Sequence, residues 1–283
     1  MKLRLKYILY ALLISLISLN SCTERIDIDL DSENIRLVVE GQITDIPGEQ
    51  YVKLTETADY FSNEQPKGIG NAVVRVNNGV EWLPLIESDT LKGLYLMPDG
   101  FVGQQEESYQ LNISLEEEIG GFKDYSANTK MPLLSDDIDS IAVEWMPQFE
   151  GWIVRLFAQE PPREDFYMFN GIRNGKLITD SIHEVNVSDD RLFNGNYTNG
   201  IIVLMFNEDQ LETGDIFTLV LSNINPDYAD FVIGLQTEIQ FKEPMFSGPP
   251  ANVISNISNG ASGWFTAYSS AFTSTVVKEK TVE

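Results

Sequence analysis

The chain has 283 residues, of which 43% are hydrophobic and 22% charged, and its net charge at pH 7 is −24. The excess of 43 acidic over 19 basic side chains opposes binding to nucleic acids, because such binding requires Lys and Arg to contact phosphates. We therefore expect no nucleic-acid partner. The hydrophobic content is high enough for a folded core, which excludes a disordered chain.

The first 21 residues have the pattern of an export signal. Three basic residues, Lys2, Arg4 and Lys6, precede an apolar stretch over residues 7–19. This stretch is shorter than the roughly 20 residues that a helix needs to cross a bilayer, and its length is typical of the apolar region of a signal peptide. The sequence therefore predicts a signal peptide over residues 1–21, whose removal lowers the net charge from −24 to −27.

Cys22, the only cysteine, directly follows the predicted signal. The sequence Leu19-Asn20-Ser21-Cys22 resembles the lipobox of bacterial lipoproteins. A lone thiol in an exported chain has no intramolecular disulfide partner, whereas acylation would consume it. The alternatives are an ordinary secreted protein with an unmodified cysteine and a cysteine buried in the core. We expect cleavage before Cys22 and a lipid anchor there, which with two or three acyl chains holds stably in a membrane.

An acidic tether is predicted over residues 22–34. Apolar and acidic residues alternate over 26–31, which would also suit a short amphipathic strand. An acidic run directly after a lipidated cysteine resembles the surface-export signal of lipoproteins in the Bacteroidota. That resemblance implies a lipid-anchored protein of the outer membrane that faces the cell exterior.

Residues 35–131 have the pattern of an antiparallel β-sandwich. Seven or so short runs of β-branched and aromatic residues recur at intervals that are punctuated by turn signals such as Asn77-Asn78-Gly79. A linker then begins near Pro132, which disfavours a helix in the residue before it. We expect the linker to join this domain to a second β-rich domain over residues 132–283.

One helix is predicted in the second region, over residues 226–239. Asn225 is a candidate N-cap and Pro226 falls in the first turn. Apolar residues recur at the spacing of a one-sided helix, at Tyr228, Phe231, Val232, Leu235 and Ile239. We expect this aromatic face to pack against a sheet, and the alternative is that it lines a ligand groove.

Several segments in order along the chain resemble the Bacteroidota lipoprotein family known as domain of unknown function 4249. The similar segments are Leu37–Asp45, Val52–Phe61, Asn71–Val76, Gly93–Tyr95, Ser108–Ile113 and Pro249–Phe265. The resemblance implies an immunoglobulin-like N-terminal domain and genes that lie beside those of TonB-dependent outer-membrane receptors. It supplies no catalytic residues.

The sequence offers no catalytic constellation. His183 is the only histidine, so a histidine-based zinc site or catalytic triad lacks its parts, and we expect a surface histidine. With 43 acidic residues some carboxylate pair can always be nominated, so acidic pairs carry little information. We predict no catalytic residue, metal site or cofactor. The tryptophans are expected in the core, and the alternative is a sugar-stacking platform; they are Trp82, Trp145, Trp152 and Trp264.

Together these features predict a non-catalytic accessory or ligand-capture partner of a TonB-dependent receptor. The first alternative is a surface adhesion or glycan-binding module that works without a transporter. A hydrolase acting on a glycan or a peptide is a less favoured alternative. Loops at the ends of the sandwiches and exposed aromatic side chains are the expected recognition elements.

Overall fold

The computed structural model describes residues 35–48, 50–57, 65–134, 138–240 and 253–280. The signal peptide, Cys22 and the acidic tether lie outside these residues, so the lipid anchor stays a prediction. Strands account for 51% of the structure and helices for 9%, which confirms the mainly β fold class. Among the described residues, no helix combines the length and the apolar character that crossing a bilayer requires.

The described residues form sixteen strands and one α-helix. The helix, α1, spans Pro226–Gln240, one residue longer than predicted. The strands are β1 Leu37–Thr44, β2 Tyr51–Glu56, β3 Val73–Asn77, β4 Trp82–Pro84, β5 Ile86–Glu87, β6 Leu94–Leu96, β7 Ser108–Ile119, β8 Phe122–Lys130, β9 Ile138–Met146, β10 Gly151–Ala158, β11 Phe166–Arg173, β12 Lys176–Leu177, β13 Asn186–Asp189, β14 Ile201–Asn207, β15 Ile216–Ile224 and β16 Ser262–Val276.

These strands form one long sheet and two short ones. The long sheet has nine strands in the order β12-β11-β15-β16-β1-β2-β6-β5, with β13 paired to β11. The short sheets have the orders β4-β3-β7-β8 and β14-β10-β9. Among the described strand pairs, β1 and β16 alone run parallel, and they join the first described strand to the last.

The first hydrophobic core lies between the β4-β3-β7-β8 sheet and the part of the long sheet around β1 and β2. In β1 the alternating residues Leu37, Val39 and Ile43 are fully buried in it, as the period of two in a strand requires. Phe265 and Ala267 of β16 also belong to this core. The C-terminal segment therefore completes the core of the N-terminal part.

The second core lies between the β14-β10-β9 sheet and strands β11 and β15 of the long sheet. Trp152 is almost fully buried here, and the ring of Trp145 packs edge-on against it at 5.4 Å between centroids. The sequence assigned all of 132–283 to the second region, whereas the structure places Ile257, Ala261, Phe265 and Ala267 in the first core. The division into two domains at residues 131 and 132 stays a prediction.

Both cores lie on the same face of the long sheet. Residues that are register partners on neighbouring strands lie on the same face of a sheet. Leu221 is the partner of Ala271, and Gly41 is the partner of Phe265, so the odd-numbered residues of β15, β16 and β1 lie on one face. Helix α1 lies on the opposite side, where Ala229 and Val232 are fully buried. The even-numbered residues of β1, β11, β15 and β16 consequently face the helix.

Candidate functional site

A cavity of about 1070 Å³ lies between helix α1 and the even-numbered face of the long sheet. Its size is at the upper end of the range for pockets that bind small molecules, which is roughly 300–1,000 Å³. Strands β1, β11, β15 and β16 supply its floor, and α1 supplies one wall. A loop closes part of it, because Gln236 of α1 donates hydrogen bonds from Nε2 to the carbonyl oxygens of Ile182 and Val185, at 2.8 and 2.7 Å.

Three aromatic side chains line one side of the cavity. The rings of Phe231 and Trp264 lie 5.1 Å apart between centroids, and Tyr228 stacks on Phe231 at 6.1 Å. The helix period brings Tyr228 and Phe231 onto one face of α1, and strand alternation directs Trp264 towards them. The three rings pack against one another and give this side of the cavity an apolar lining.

Polar atoms line the floor of the cavity beside the aromatic wall. The hydroxyl of Tyr51 donates to Glu40 Oε1 at 2.7 Å, and the hydroxyl of Tyr268 donates to Gln42 Oε1 at 3.0 Å. Thr266 lies between them on β16, and its buried Oγ1 makes no hydrogen bond to the described protein. A buried hydroxyl is nearly always paired, so an unpaired one in a residue that lines a cavity requires an explanation such as a bound water or ligand.

The phenol of Tyr228 stays neutral at physiological pH. Although the residue is only partly buried overall, burial of its phenol and, to a lesser extent, the negative charge of Glu40 together raise its pKa to about 12. A neutral phenol both donates and accepts a hydrogen bond. The aromatic wall therefore carries a polar group without carrying a charge.

The residues that the sequence singled out have different positions in the structure. His183 is exposed, as predicted, and does not line the cavity. Trp152 lies in the second core, while Trp82 is 40% exposed beneath the guanidinium of Arg75 at 5.7 Å. Trp264 is 8% exposed and packed against α1, so it is a wall of the cavity and no open platform.

The helix periodicity predicted α1, and in the structure its apolar face both packs against the sheet and lines the cavity. That face was expected in the core, with a ligand groove as the alternative. In the structure Ala229 and Val232 fill the core position, whereas Tyr228, Phe231 and Leu235 line the cavity. The width of the apolar stripe on the helix was the available signal for the cavity lining. A stripe wider than the contact with the core leaves apolar residues at its margin, where they can line a cavity.

A second group of polar side chains lies on the opposite face of the sheet. Oxygen atoms of Glu160, Asp165 and Asp190 lie within 4.8 Å of one another, and all three side chains are buried. Sequence reasoning missed this cluster because the three residues are far apart among 43 acidic ones. Such a set of oxygen ligands suits a hard divalent cation.

Comparison with known proteins identifies a family. The family model described as "Domain of unknown function (DUF4249)" matches residues 23–274. No curated protein matches the sequence. A solved structure described as "Cytokine receptor complex - Crystal form 1A" is 12% identical, over 66% of this chain and 82% of that chain, with a TM-score of 0.22. A TM-score this low supports no argument about fold or function.

Proposed function

Since this chain belongs to the family described as "Domain of unknown function (DUF4249)", we propose that it is a cell-surface lipoprotein of the outer membrane that captures a ligand for a TonB-dependent receptor. In this proposal the protein is anchored through Cys22 and catalyses no reaction. The family's association with such receptors is what its resemblance to Bacteroidota lipoproteins implies. The large cavity between α1 and the long sheet is the observation that carries the capture role.

The cavity favours a ligand with one flat apolar face and several hydrogen-bonding groups. The rings of Phe231 and Trp264 supply the apolar surface, and the hydroxyl of Thr266 supplies an unused polar atom beside it. Small-molecule binding sites commonly combine such apolar walls with a few polar groups that fix the orientation of the ligand. A saccharide or another uncharged polyol fits this description.

The charge of the protein argues against an anionic ligand. After the predicted cleavage the chain carries a net charge of −27, and the resulting negative electrostatic potential repels anions that approach the protein. Among the charged residues that line the cavity, Arg36 is offset by Glu40 and Asp180. The ligand we propose is therefore neutral or weakly cationic.

The same lining supports a second candidate, a glycan-binding adhesion module that works without a transporter. Aromatic rings stack on the C–H faces of sugars, and Tyr228, Phe231 and Trp264 all line the cavity. The two candidates share a ligand class and differ in whether a receptor is bound. One experiment can therefore separate them.

We would purify the tagged full-length protein from solubilised outer membranes and identify both its protein partners and its bound small molecules by mass spectrometry. Near-stoichiometric recovery of a TonB-dependent receptor, with a ligand bound, would support the proposed function. Recovery of a monomer that retains a glycan on an array would instead favour the adhesion module.

The variant Phe231→Ala tests whether the ligand occupies the cavity. Phe231 forms the cavity wall, whereas its neighbour Asp230 points to solvent, so Asp230→Ala is the matched control on the same helix. We expect Phe231→Ala to lose the ligand and Asp230→Ala to keep it. Equal retention by both variants would place the ligand elsewhere and contradict the capture role of the cavity.

A further inference from the structure

Three buried carboxylates meet at the edge of the second core, on the face of the sheet opposite the cavity. Glu160 follows β10, Asp165 precedes β11 and Asp190 follows β13, and their side chains are 4%, 6% and 0% exposed. One oxygen atom from each lies within 4.8 Å of the others. Burying charge at such close range is costly unless an opposite charge accompanies it.

One guanidinium partly balances this charge. Arg163 Nε lies 2.9 Å from Oδ1 and 2.7 Å from Oδ2 of Asp165. The hydroxyl of Tyr167, a neutral donor, contacts Glu160 Oε1 at 2.6 Å. A single guanidinium can offset only one of three negative charges.

Two buried side-chain oxygen atoms have no hydrogen-bond donor in the described protein, one in the cluster and one on a residue that contacts it. They are Asp190 Oδ1 and Asn223 Oδ1, both on side chains that are 0% exposed. With Thr266 Oγ1 in the cavity, they are the buried side-chain atoms of the described chain that lack a partner. Buried acceptors without donors are rare in native proteins, and each requires an explanation such as a water or an ion.

The orientation of Asn223 is fixed by its other contacts. Its Nδ2 donates to Asp165 Oδ1 at 2.9 Å and to the carbonyl oxygen of Leu133 at 3.0 Å. Exchanging the amide nitrogen and oxygen would break both bonds, so the acceptor Oδ1 stays unpaired. This amide is independent of the three carboxylates, and its unpaired oxygen belongs to a side chain that contacts Asp165 directly.

We propose that Glu160, Asp165, Asp190 and Asn223 form a binding site for a divalent cation, with Ca²⁺ as the preferred ion. The ligand set contains oxygen atoms alone, which favours Ca²⁺ or Mg²⁺ over zinc. Ca²⁺ takes roughly six to eight oxygen atoms at about 2.3–2.6 Å, so ligands on opposite sides of the ion lie about 5 Å apart. One such ion can therefore contact an oxygen atom of all three carboxylates, which lie within 4.8 Å of one another.

Ca²⁺ suits the site better than Mg²⁺ because it tolerates irregular geometry and few waters. Mg²⁺ requires a nearly octahedral shell and usually keeps several waters, which a fully buried cluster has little room to supply. The residues come from four separate segments of the chain, and Leu133 of the linker joins them through Asn223 and Arg163. Ion binding would therefore hold the linker in place through its contacts with Asn223 and Arg163, and it would stabilise the folded state.

The test uses the full-length protein in detergent, after removal of metal with a chelator. We expect millimolar Ca²⁺ to raise the melting temperature by several degrees and an excess of EDTA to reverse the shift, because an ion that binds the folded state alone stabilises it. An equal concentration of Mg²⁺ should raise it less. Tb³⁺ should give luminescence sensitised by Tyr167, which Ca²⁺ abolishes.

Asp190→Asn and Asp189→Asn separate this site from diffuse binding to an acidic surface. Both changes remove one negative charge, but Asp189 is paired with Arg191 outside the cluster, at 2.5 Å. We expect Asp190→Asn to weaken Ca²⁺ and Tb³⁺ binding by roughly tenfold or more, since ligand charge sets affinity, and Asp189→Asn to change it by less than about twofold.

Equal effects of the two variants would show diffuse binding and overturn the proposal. The absence of any Ca²⁺-dependent shift in the wild-type melting temperature would also overturn it, and this measurement requires no variant. If Asp190→Asn fails to fold, Glu160→Gln serves as the second variant, with the same expected loss of affinity. Unchanged Ca²⁺ affinity in a folded Glu160→Gln protein would contradict the assigned ligand set.

Discussion

Gly263 of β16 lies so close to Val39 of β1 that a Cβ atom at Gly263 would come within 2.0 Å of the Val39 carbonyl oxygen. This contact occurs at the parallel pairing of β1 with β16, where Val39 is the register partner of Gly263. Gly263 also has a φ of +97°, which other residues rarely adopt. The close approach lets the last strand of the chain complete the first core.

Gly263→Ala is expected to destabilise the protein strongly. The strained backbone contributes about 1–3 kcal/mol and the overlap with Val39 about 1–3 kcal/mol more to the loss of free energy of unfolding. Chemical denaturation measures this loss. Gly214→Ala is the matched control, because Gly214 has a φ of +94° with no atom within 4 Å of its Cβ position, and it should show the strain alone. Equal losses in both variants would mean that the contact with Val39 is unimportant.

Thr266→Val is expected to leave the fold intact or to stabilise it, by up to about 1 kcal/mol, while weakening ligand binding. The change removes a buried hydroxyl that has no partner in the described protein, and it preserves the shape of the side chain. Denaturation and a binding assay on the same sample give both quantities.

Thr198→Val is the matched control for that prediction. The Oγ1 of Thr198 donates to the Leu156 carbonyl at 2.8 Å and accepts from the Ala158 amide at 2.9 Å, so its removal should cost about 1–3 kcal/mol. A loss of similar size for Thr266→Val would show that Thr266 has a structural partner, and would remove the support that its free hydroxyl gives to a ligand site.

Asp215 is expected to make the protein sensitive to acid. Burial alone would raise the pKa of its carboxyl, but hydrogen bonds from the Glu212 amide at 2.7 Å, from Asn174 at 2.7 Å and from Arg173 at 2.5 Å outweigh it. The pKa is therefore held below its ordinary value of 3.8. The stabilisation is complete above this value and is lost as the pH falls through the lowered pKa of the folded state.

Asp215→Asn should lower the free energy of unfolding by about 1–3 kcal/mol at pH 7 and should flatten its decline below pH of about 4. Unfolding curves at several pH values measure both effects. Asp209→Asn, which changes an exposed carboxylate in the segment before Asp215, should leave the curve unchanged. A decline below pH 4 that is equally steep in the Asp215→Asn protein would assign the acid sensitivity to other groups.

Cys22→Ala tests the predicted lipid anchor. We expect the variant to keep its signal peptide, to migrate more slowly on a gel and to lose incorporation of a labelled fatty acid, because cleavage and acylation both require the thiol. A variant of unchanged mobility that still incorporates the label would contradict lipidation at Cys22.

Exposure at the cell surface needs a separate measurement. Protease applied to whole cells should degrade the wild-type protein if it faces the exterior. Complete protection in intact cells, followed by degradation after lysis, would place the protein in the periplasm and would exclude ligand capture outside the cell.

The sequence by itself determined the mainly β fold class and the position of the one helix in the described chain. Alternation of buried and exposed residues, as in β1, and the spacing of Tyr228, Phe231 and Leu235 in α1 are local patterns, because each repeats within a few residues. The family also followed from the order of short segments along the chain. Such features need no knowledge of which distant residues meet.

The tertiary structure alone decided which strands pair and which polar groups meet. The parallel pairing of Val39 with Gly263 joins segments from opposite ends of the described chain, and no local pattern specifies it. Likewise, Asp190 resembles the other acidic residues in sequence, and only packing removes it from water beside Asp165. Burial and pairing depend on contacts between segments that are distant in the sequence, so the cavity and the proposed Ca²⁺ site emerge only in the folded chain.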